Sequence, residues 1–245
     1  MSGVPVEHVP EWRVETFDTV ASTQAVLKER LQEGADVHGV VVRAVEQLAG
    51  RGRRANGWSS PAGGSYQSLA LQDRWQGALR SPSVTLLLAT QLAEELRGAG
   101  ADVSVKWPND LYLDEGKLGG ILCEYVRGHL VAGVGVNVGN PVPEGAGALE
   151  DWSLSLVNRL VLSAARAAFQ QLLESGAGES GPEDLSARFA RVDFLADREV
   201  SVLSGGALIE GKAAGVDALG ALQLRTANGE VAVHDGTVEK WSGAD

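Results

Sequence analysis

Between residues 198 and 241 the chain leaves no room for a helix. Five short alternating stretches, at 199–203, 207–216, 221–226, 231–234 and 238–241, follow one another. Turn signals separate them at Ser204-Gly205-Gly206, Leu219-Gly220, Asn228-Gly229 and Asp235-Gly236. Asn-Gly between two strands is a strong hairpin signal because both central residues of the turn need positive φ. Strands this short and this close together predict a small β-barrel.

The chain before residue 193 has a different texture. Residues 12–18 and 65–72 alternate as half-buried strands do, and 38–45 is a β-branched run of a fully buried strand. Ser22-Thr23-Gln24 opens a helical stretch that Gly34 stops, with a hydroxyl residue placed to cap it. Ser81-Pro82 starts a second helix, whose Val84, Leu88, Leu92 and Leu96 recur every four residues on one apolar face. A strand over 103–107 is stopped by Pro108-Asn109-Asp110, and a hairpin over 117–126 and 130–138 turns at Arg127-Gly128. A Gly/Pro loop over 139–149, a helix over 156–174, a Gly-rich run over 175–181 and a short helix from Pro182 to 192 complete this half. Helices interleaved with strands predict an α/β domain over 1–193, followed by a small β domain over 194–245. A chain of 245 residues has room for that division.

Composition narrows the partners. The net charge of −11 repels polyphosphate backbones, which argues against general nucleic-acid binding. Cys123 is the lone cysteine, so no internal disulfide exists. The four histidines have no metal-ligand spacing. The opening MSGVPVEHVPEWRVE has no apolar signal core, and no apolar run reaches bilayer length. A soluble cytoplasmic protein is the expectation.

Against that acidic background, Gly50-Arg51-Gly52-Arg53-Arg54-Ala55-Asn56-Gly57-Trp58 places three arginines and three glycines in nine residues. Glycine lets backbone approach a ligand closely, and the guanidinium fork suits carboxylate and phosphate oxygens. The segment reads as a mobile loop built to enclose a small anion. Lys106 ends an apolar strand, near the edge where α/β ligands gather. From the strand alone, a solvated edge lysine and a site cation read equally well; the arginine loop in the same chain favours the second. Gly116-Lys117-Leu118-Gly119-Gly120 is not a phosphate-binding P-loop, because a strand follows it instead of a helix. Gly133-Val134-Gly135-Val136-Asn137 reads as a close-packed strand capped by an Asn turn. Ser22, Thr23 and Gln47 read by themselves as capping and turn residues. Trp58, Trp107 and Trp152 read equally as core or as ligand-stacking rings. No Ser/His/Asp order or carboxylate pair supports nucleophilic hydrolysis.

Taken in order, Ser22-Thr23-Gln24, the Gln47 to Arg54 stretch, Trp58-x-Ser60-Pro61-x-Gly63-Gly64, Lys106-Trp107-Pro108-Asn109-Asp110, Lys117 to Leu122 and Gly133 to Asn137 resemble the biotin–protein ligase family. The resemblance covers nearly the whole chain. It implies an α/β catalytic domain with a mixed sheet, similar to lipoate ligases and class II aminoacyl-tRNA synthetases, followed by an SH3-like barrel. It implies two reactions: biotin and ATP, with Mg²⁺, give biotinyl-5′-AMP and pyrophosphate, and a lysine of a biotin carboxyl carrier protein then takes the acyl group.

By the same resemblance Lys106, Arg51 and Arg53 are catalytic. Ser22, Thr23, Gln24, Gln47, Gly50, Gly52, Trp58 and Gly120 join them around biotin. Arg54, Lys117, Asn137 and Trp152 lie on the ATP side, Asn137 through Mg²⁺. Ala55 stands where the family loop often has glycine, and Gln24 where asparagine is frequent. A homodimer through the catalytic sheet is implied. The 21 residues before Ser22 are too few for a helix-turn-helix domain, so a short form without DNA binding is expected. The same fold would serve a lipoate–protein ligase or a non-catalytic biotin-sensing module. Because all these motifs fall before residue 194, the β domain is expected to serve carrier docking or stability more than adenylation.

Overall fold

The computed structural model describes residues 9–74, 77–175 and 185–242. The Gly-rich run after Ser175 and the helix start expected at Pro182 lie outside these residues. The first half is one seven-stranded sheet of β1 (Arg13–Val20), β2 (Val40–Gln47), β3 (Ser65–Gln72), β4 (Val103–Lys106), β5 (Asp110–Leu113), β6 (Gly116–Val126) and β7 (His129–Val136). Its order is β1-β2-β3-β7-β6-β5-β4. β1 and β2 run parallel, and the other neighbours are antiparallel, so the sheet is mixed as expected.

The one parallel pair needs a crossover, and α1 (Thr23–Gln32) supplies it. Leu27 and Leu31 of α1 bury against Val40, Val42, Ala70 and Val131 on one face. The opposite face carries α2 (Val84–Gly98) and α3 (Leu154–Ser175), with α4 (Leu185–Phe189) beyond them. The four-residue recurrence of Val84, Leu88, Leu92 and Leu96 is the stripe that α2 presents to this core. α2 begins two residues later than Ser81-Pro82 suggests. Val84 N–H donates to Ser81 O, so Pro82 sits in the turn that precedes the helix.

β5 was not anticipated. Pro108-Asn109-Asp110 stops β4, but the chain then doubles back, pairing Lys106 with Asp110 and Val103 with Leu113. A strand of four residues is too short for alternation to register in sequence. The open edge of β4 is covered by the segment leading to the second half. Val105 N–H donates to Val192 O, and Phe194 N–H donates to Val105 O. That pairing blunts an otherwise sticky edge.

The second half is a five-stranded sheet of β8 (Glu199–Ser204), β9 (Ala207–Val216), β10 (Leu222–Thr226), β11 (Gly229–Val233) and β12 (Thr237–Trp241). Its order, β11-β10-β9-β8-β12, corrects the barrel expectation. The terminal strands β11 and β12 are not paired with each other, so the sheet stays open and no SH3-like barrel forms. The physical reason lies in the β11–β12 segment. Closure would need β11 to pair with β12, and here two carbonyls at the start of β12 accept from the first half instead. Val238 O accepts from Lys106 Nζ at 3.4 Å, and Gly236 O accepts from Arg53 at 3.2 Å.

Val200, Val202, Ala213, Leu222, Leu224 and Val238 are continuous with the main core. Among the described residues, no helix is long and apolar enough to cross a membrane. A shared core makes the two sheets unfold together. Leu222→Ala removes a fully buried side chain, and should cost about 2–5 kcal/mol by lost transfer energy plus cavity. Urea unfolding followed by tryptophan fluorescence and far-UV circular dichroism should remain a single coincident transition at a lower midpoint. Two separated transitions would show that the cores are independent.

Candidate functional site

One pocket opens where α1, the β2–β3 loop, the β4–β5 turn, β6, β7 and β12 converge. The Gly/Arg segment forms its wall as an ordered hairpin. Arg51 pairs with Gly57, Gln47 with Ser60, and Trp58 N–H donates to Gly50 O. Gly50 sits at the base of that hairpin, where an added Cβ would come within 2.4 Å of Trp58 O. Arg54 closes the tip with a left-handed φ of 54°.

The N-terminus of α1 shows how polar groups are kept for a ligand. Ser22 is the N-cap residue by backbone, yet its hydroxyl makes no cap bond, contrary to the expectation. Thr23 N–H is satisfied instead by Gln47 Oε1 at 2.8 Å. Gln47 Nε2 in turn donates to Ser60 Oγ at 2.8 Å, so the strand and loop hold this amide in one orientation. Thr23 Oγ1 lies 2.7 Å from Ser68 Oγ. Ser22, Thr23 and Gln24 are all buried at the pocket wall.

Gln24 is oriented by three acceptors. Its Nε2 donates to Glu124 Oε2 at 2.8 Å, to Leu122 O at 3.3 Å and to Val131 O at 3.4 Å. Lys28 Nζ holds the same Glu124 at 2.9 Å. The amide oxygen of Gln24 is left over Gly133, where an added Cβ would come within 2.5 Å of it. Gly135 plays the same part for Trp58, whose Nε1 would meet a Cβ at 2.6 Å. The glycines of the Gly133 to Asn137 run therefore make a hollow in β7 into which two site side chains settle. Trp58 Nε1 is buried without a partner among the described residues.

Lys106 projects from the end of β4 and is 8% exposed. Its Nζ sits 3.7 Å from the centroid of the Trp241 ring and donates to Val238 O. Burial pushes its ammonium down to about 8, with Asp110 opposing the shift and Lys117 adding to it. The carboxylate of Asp110 is itself bound to Lys117 Nζ at 2.8 Å. Arg53 and Arg54 reach the β11–β12 segment, where Arg53 meets Asp235 and Gly236 O, and Arg54 meets Thr237 Oγ1. Neutral donors and acceptors at one end, with cations at the other, suit a ligand with an uncharged polar head and an anionic tail.

The structure brings Ser22, Thr23, Gln24, Gln47, Arg51, Gly52, Arg53, Arg54, Trp58, Lys106, Lys117 and Gly120 together around this pocket. Gly50, Asn137 and Trp152 do not line it. Asn137 Nδ2 donates to Gly147 O at 3.0 Å, and its Oδ1 accepts from Asn140 Nδ2 at 3.1 Å. This amide clamps the 139–149 loop. Trp152 packs half-buried against the main core. Trp107, read as core or stacking ring, is 2% exposed and donates to Gly220 O, and it also lines this pocket.

Sequence reading missed Ser68 on the pocket floor, and Thr237 and Val238 on its rim. Thr237 and Val238 bring the second half to the wall of this pocket. No local signal marks them, since Lys106 and Val238 are 132 residues apart.

The family model for biotin/lipoate A/B protein ligases matches residues 16–140, and the biotin protein ligase C-terminal domain model matches 196–241. The bifunctional ligase/repressor BirA of Salmonella typhimurium is 32% identical across 95% of this chain and 73% of its own length. The Escherichia coli protein of that name is 31% identical over the same shares. Among solved structures, the biotin protein ligase from Aquifex aeolicus in complex with biotin and ATP superposes with a TM-score of 0.79 at 27% identity, covering 92% of this chain and 97% of that one.

The titration of Lys106 can be checked directly. A group whose pKa burial has lowered to about 8 is a free amine over a pH range where surface lysines are charged. Acylation of Lys106 by a small amine-reactive acyl donor such as acetic anhydride, followed by mass spectrometry, should rise through about pH 8. A rise only near that of surface lysines would refute the depressed value.

Proposed function

The chain belongs to the biotin/lipoate A/B protein ligase family, and from this we infer how its pocket works as a biotin–protein ligase. It binds biotin and ATP and joins the vitamin to a protein. The observation that carries the reading is one pocket with fixed neutral hydrogen-bonding groups at one end and Lys106, Arg51 and Arg53 at the other.

Biotin has an uncharged ureido head that donates two N–H groups and offers one carbonyl oxygen. Buried, such a head needs partners. We assign Ser22, Thr23, Gln24 and Gln47 to it; the Gln24 oxygen, held toward the pocket by Glu124, supplies an acceptor. Trp58 covers the apolar body of the ligand, and Gly52 and Gly120 let backbone come close.

The first step brings a carboxylate against a triphosphate. The carboxylate oxygen attacks the α-phosphorus, a new O–P bond forms, and the bond to the pyrophosphate oxygen breaks. No covalent enzyme intermediate is needed, so catalysis is positioning and charge neutralisation. Lys106 is assigned to the carboxylate and α-phosphate. Arg51 and Arg53 close over the product, with Arg54 and Lys117 toward the nucleotide.

Asn137 and Trp152 fit this step less directly, since Asn137 is spent on the 139–149 loop. The described residues contain no group of three His, Cys, Asp or Glu that could hold a metal ion. Mg²⁺ is proposed to come bound to the ATP phosphates, the usual way this ion enters such sites.

In the second step a lysine amine attacks the acyl carbon and AMP leaves. The acceptor we propose is a biotin carboxyl carrier domain. We place the domain division at 193/194, supported by the start of the second family match at residue 196. A homodimer through the catalytic sheet is supported by the open edge of β1, where Val14 is 41% exposed.

The deciding experiment is biotin-dependent exchange of labelled pyrophosphate into ATP. No exchange would mean a binding module; exchange driven by lipoate instead would mean the sister activity. Lys106→Ala should lower exchange on the order of 100-fold or more, the scale of losing one preorganised charge. Exchange at the wild-type rate would remove Lys106 from the chemistry.

A mixed anhydride left open to water hydrolyses or acylates stray amines, so the protein must cover it between steps. Arg53→Gly removes both a ligand fork and the tie to Asp235 and Gly236. Dissociation of the adenylate should then rise more than its formation falls. The measurement is free biotinyl-AMP, together with labelling of a bystander protein that lacks a carrier domain. A variant that forms the adenylate and retains it like wild type would show that the loop is no lid.

A further inference from the structure

We propose that Trp241, at the end of the second sheet, is a positioning residue for the reaction: its ring face holds the Lys106 ammonium charged and aimed at the reacting oxygens. The proposal rests on the ligase reading above, but its central contact is a property of the chain itself. Lys106 Nζ lies 3.7 Å from the Trp241 centroid and 5.6 Å from that of Tyr112. The face of an indole is electron-rich and attracts a cation, more strongly once water is excluded.

The ring is itself held. Tyr112 of β5 and Phe194 of the segment before β8 meet Trp241 edge-on, with centroids at 6.2 and 5.9 Å, and they stack on each other at 4.4 Å. Three rings from three segments thus form a corner that fixes the ammonium from below, and Val238 O accepts one of its protons. The lysine stem has no freedom to swing from the pocket without leaving this corner.

The charged groups around it do not replace the ring. Asp110 is bound to Lys117, and Glu239 on β12 is exposed. Lys117 disfavours a further positive charge, while Asp110 and Glu239 favour it without outweighing burial. Burial disfavours it too, and Tyr112 is neutral, with burial pushing its hydroxyl up to about 12. Removing the π face leaves the ammonium buried with one carbonyl, so its protonated form is lost at lower pH. A second sheet that only docked a carrier would have no reason to touch the adenylation lysine.

The test places fluorinated tryptophans site-specifically at position 241, in the full chain. Fluorine drains the ring face while keeping its shape, so folding is not at issue. Two readouts are followed against pH: the ¹³C shift of Lys106 in lysine-labelled protein, assigned with Lys106→Arg, and kcat/KM for pyrophosphate exchange, which reports free-enzyme groups. Each added fluorine should move both the Lys106 titration and the alkaline limb of kcat/KM to lower pH, by several tenths of a unit in the trifluorinated chain. Trp241→Leu should go further, and Trp241→Phe should recover part of the shift. A Lys106 titration unchanged by fluorination overturns the proposal. A titration that moves while unmodified enzyme shows no exchange leaves the contact standing and sinks the ligase reading instead. A rate that falls equally at all pH values, with no shift, assigns Trp241 a purely structural part and overturns the proposal.

Discussion

A buried ammonium on a strand end is the constraint around which this molecule is arranged. Taking Lys106 out of water without an adjacent carboxylate of its own costs several kcal/mol, by order of magnitude. The protein answers with a ring face and a carbonyl in contact, while Asp110 and Glu239 favour the charge through space. The partners come from β12, so the second sheet must dock on the first. That docking directs the β11–β12 segment inward and leaves the sheet open instead of closed into a barrel. The cation, the open sheet and the shared core are consequences of one another.

The neutral end of the pocket obeys a different logic, in which groups that usually serve the fold are withheld from it. Ser22 occupies a helix cap without capping, because Gln47 takes over the adjacent amide. Gly133 and Gly135 give up side chains in the middle of a sheet so that Gln24 and Trp58 can lie against the backbone. Each choice weakens local structure slightly. The flanking strands β3 and β6, which pair with β7 along its length, hold the hollow open. The Lys28–Glu124 pair behind Gln24 adds orientation more than stability, since both partners keep partial access to water.

Much of the architecture was legible from pattern. The stripe on α2, the β6–β7 hairpin and the five short strands after residue 198 all stand near their expected positions, because period and turn residues are local properties. Strand β5 was missed since four residues carry too little pattern, and the cap at Ser22 was misjudged since capping depends on what competes for the hydroxyl. Of the site, the Gly/Arg loop, Lys106 and the Ser22 to Gln24 run could be named from residue type and order. Asn137 and Trp152 could not be placed correctly by the same means: an Asn at a strand end serves a ligand or a loop equally well until the neighbouring carbonyls are known.

By itself the sequence determined most of the element types, the Gly/Arg make-up of the 50–58 segment and the family, since each is carried by residues close together in the chain. Only the tertiary structure decided that Thr237 and Val238 line the pocket, that Trp241 lies against Lys106, that Arg53 is tied to Gly236, and that the second sheet remains open. Those contacts join residues more than a hundred positions apart. Their partners are chosen by how two sheets share one core and bury one charge, and no local period or spacing encodes that.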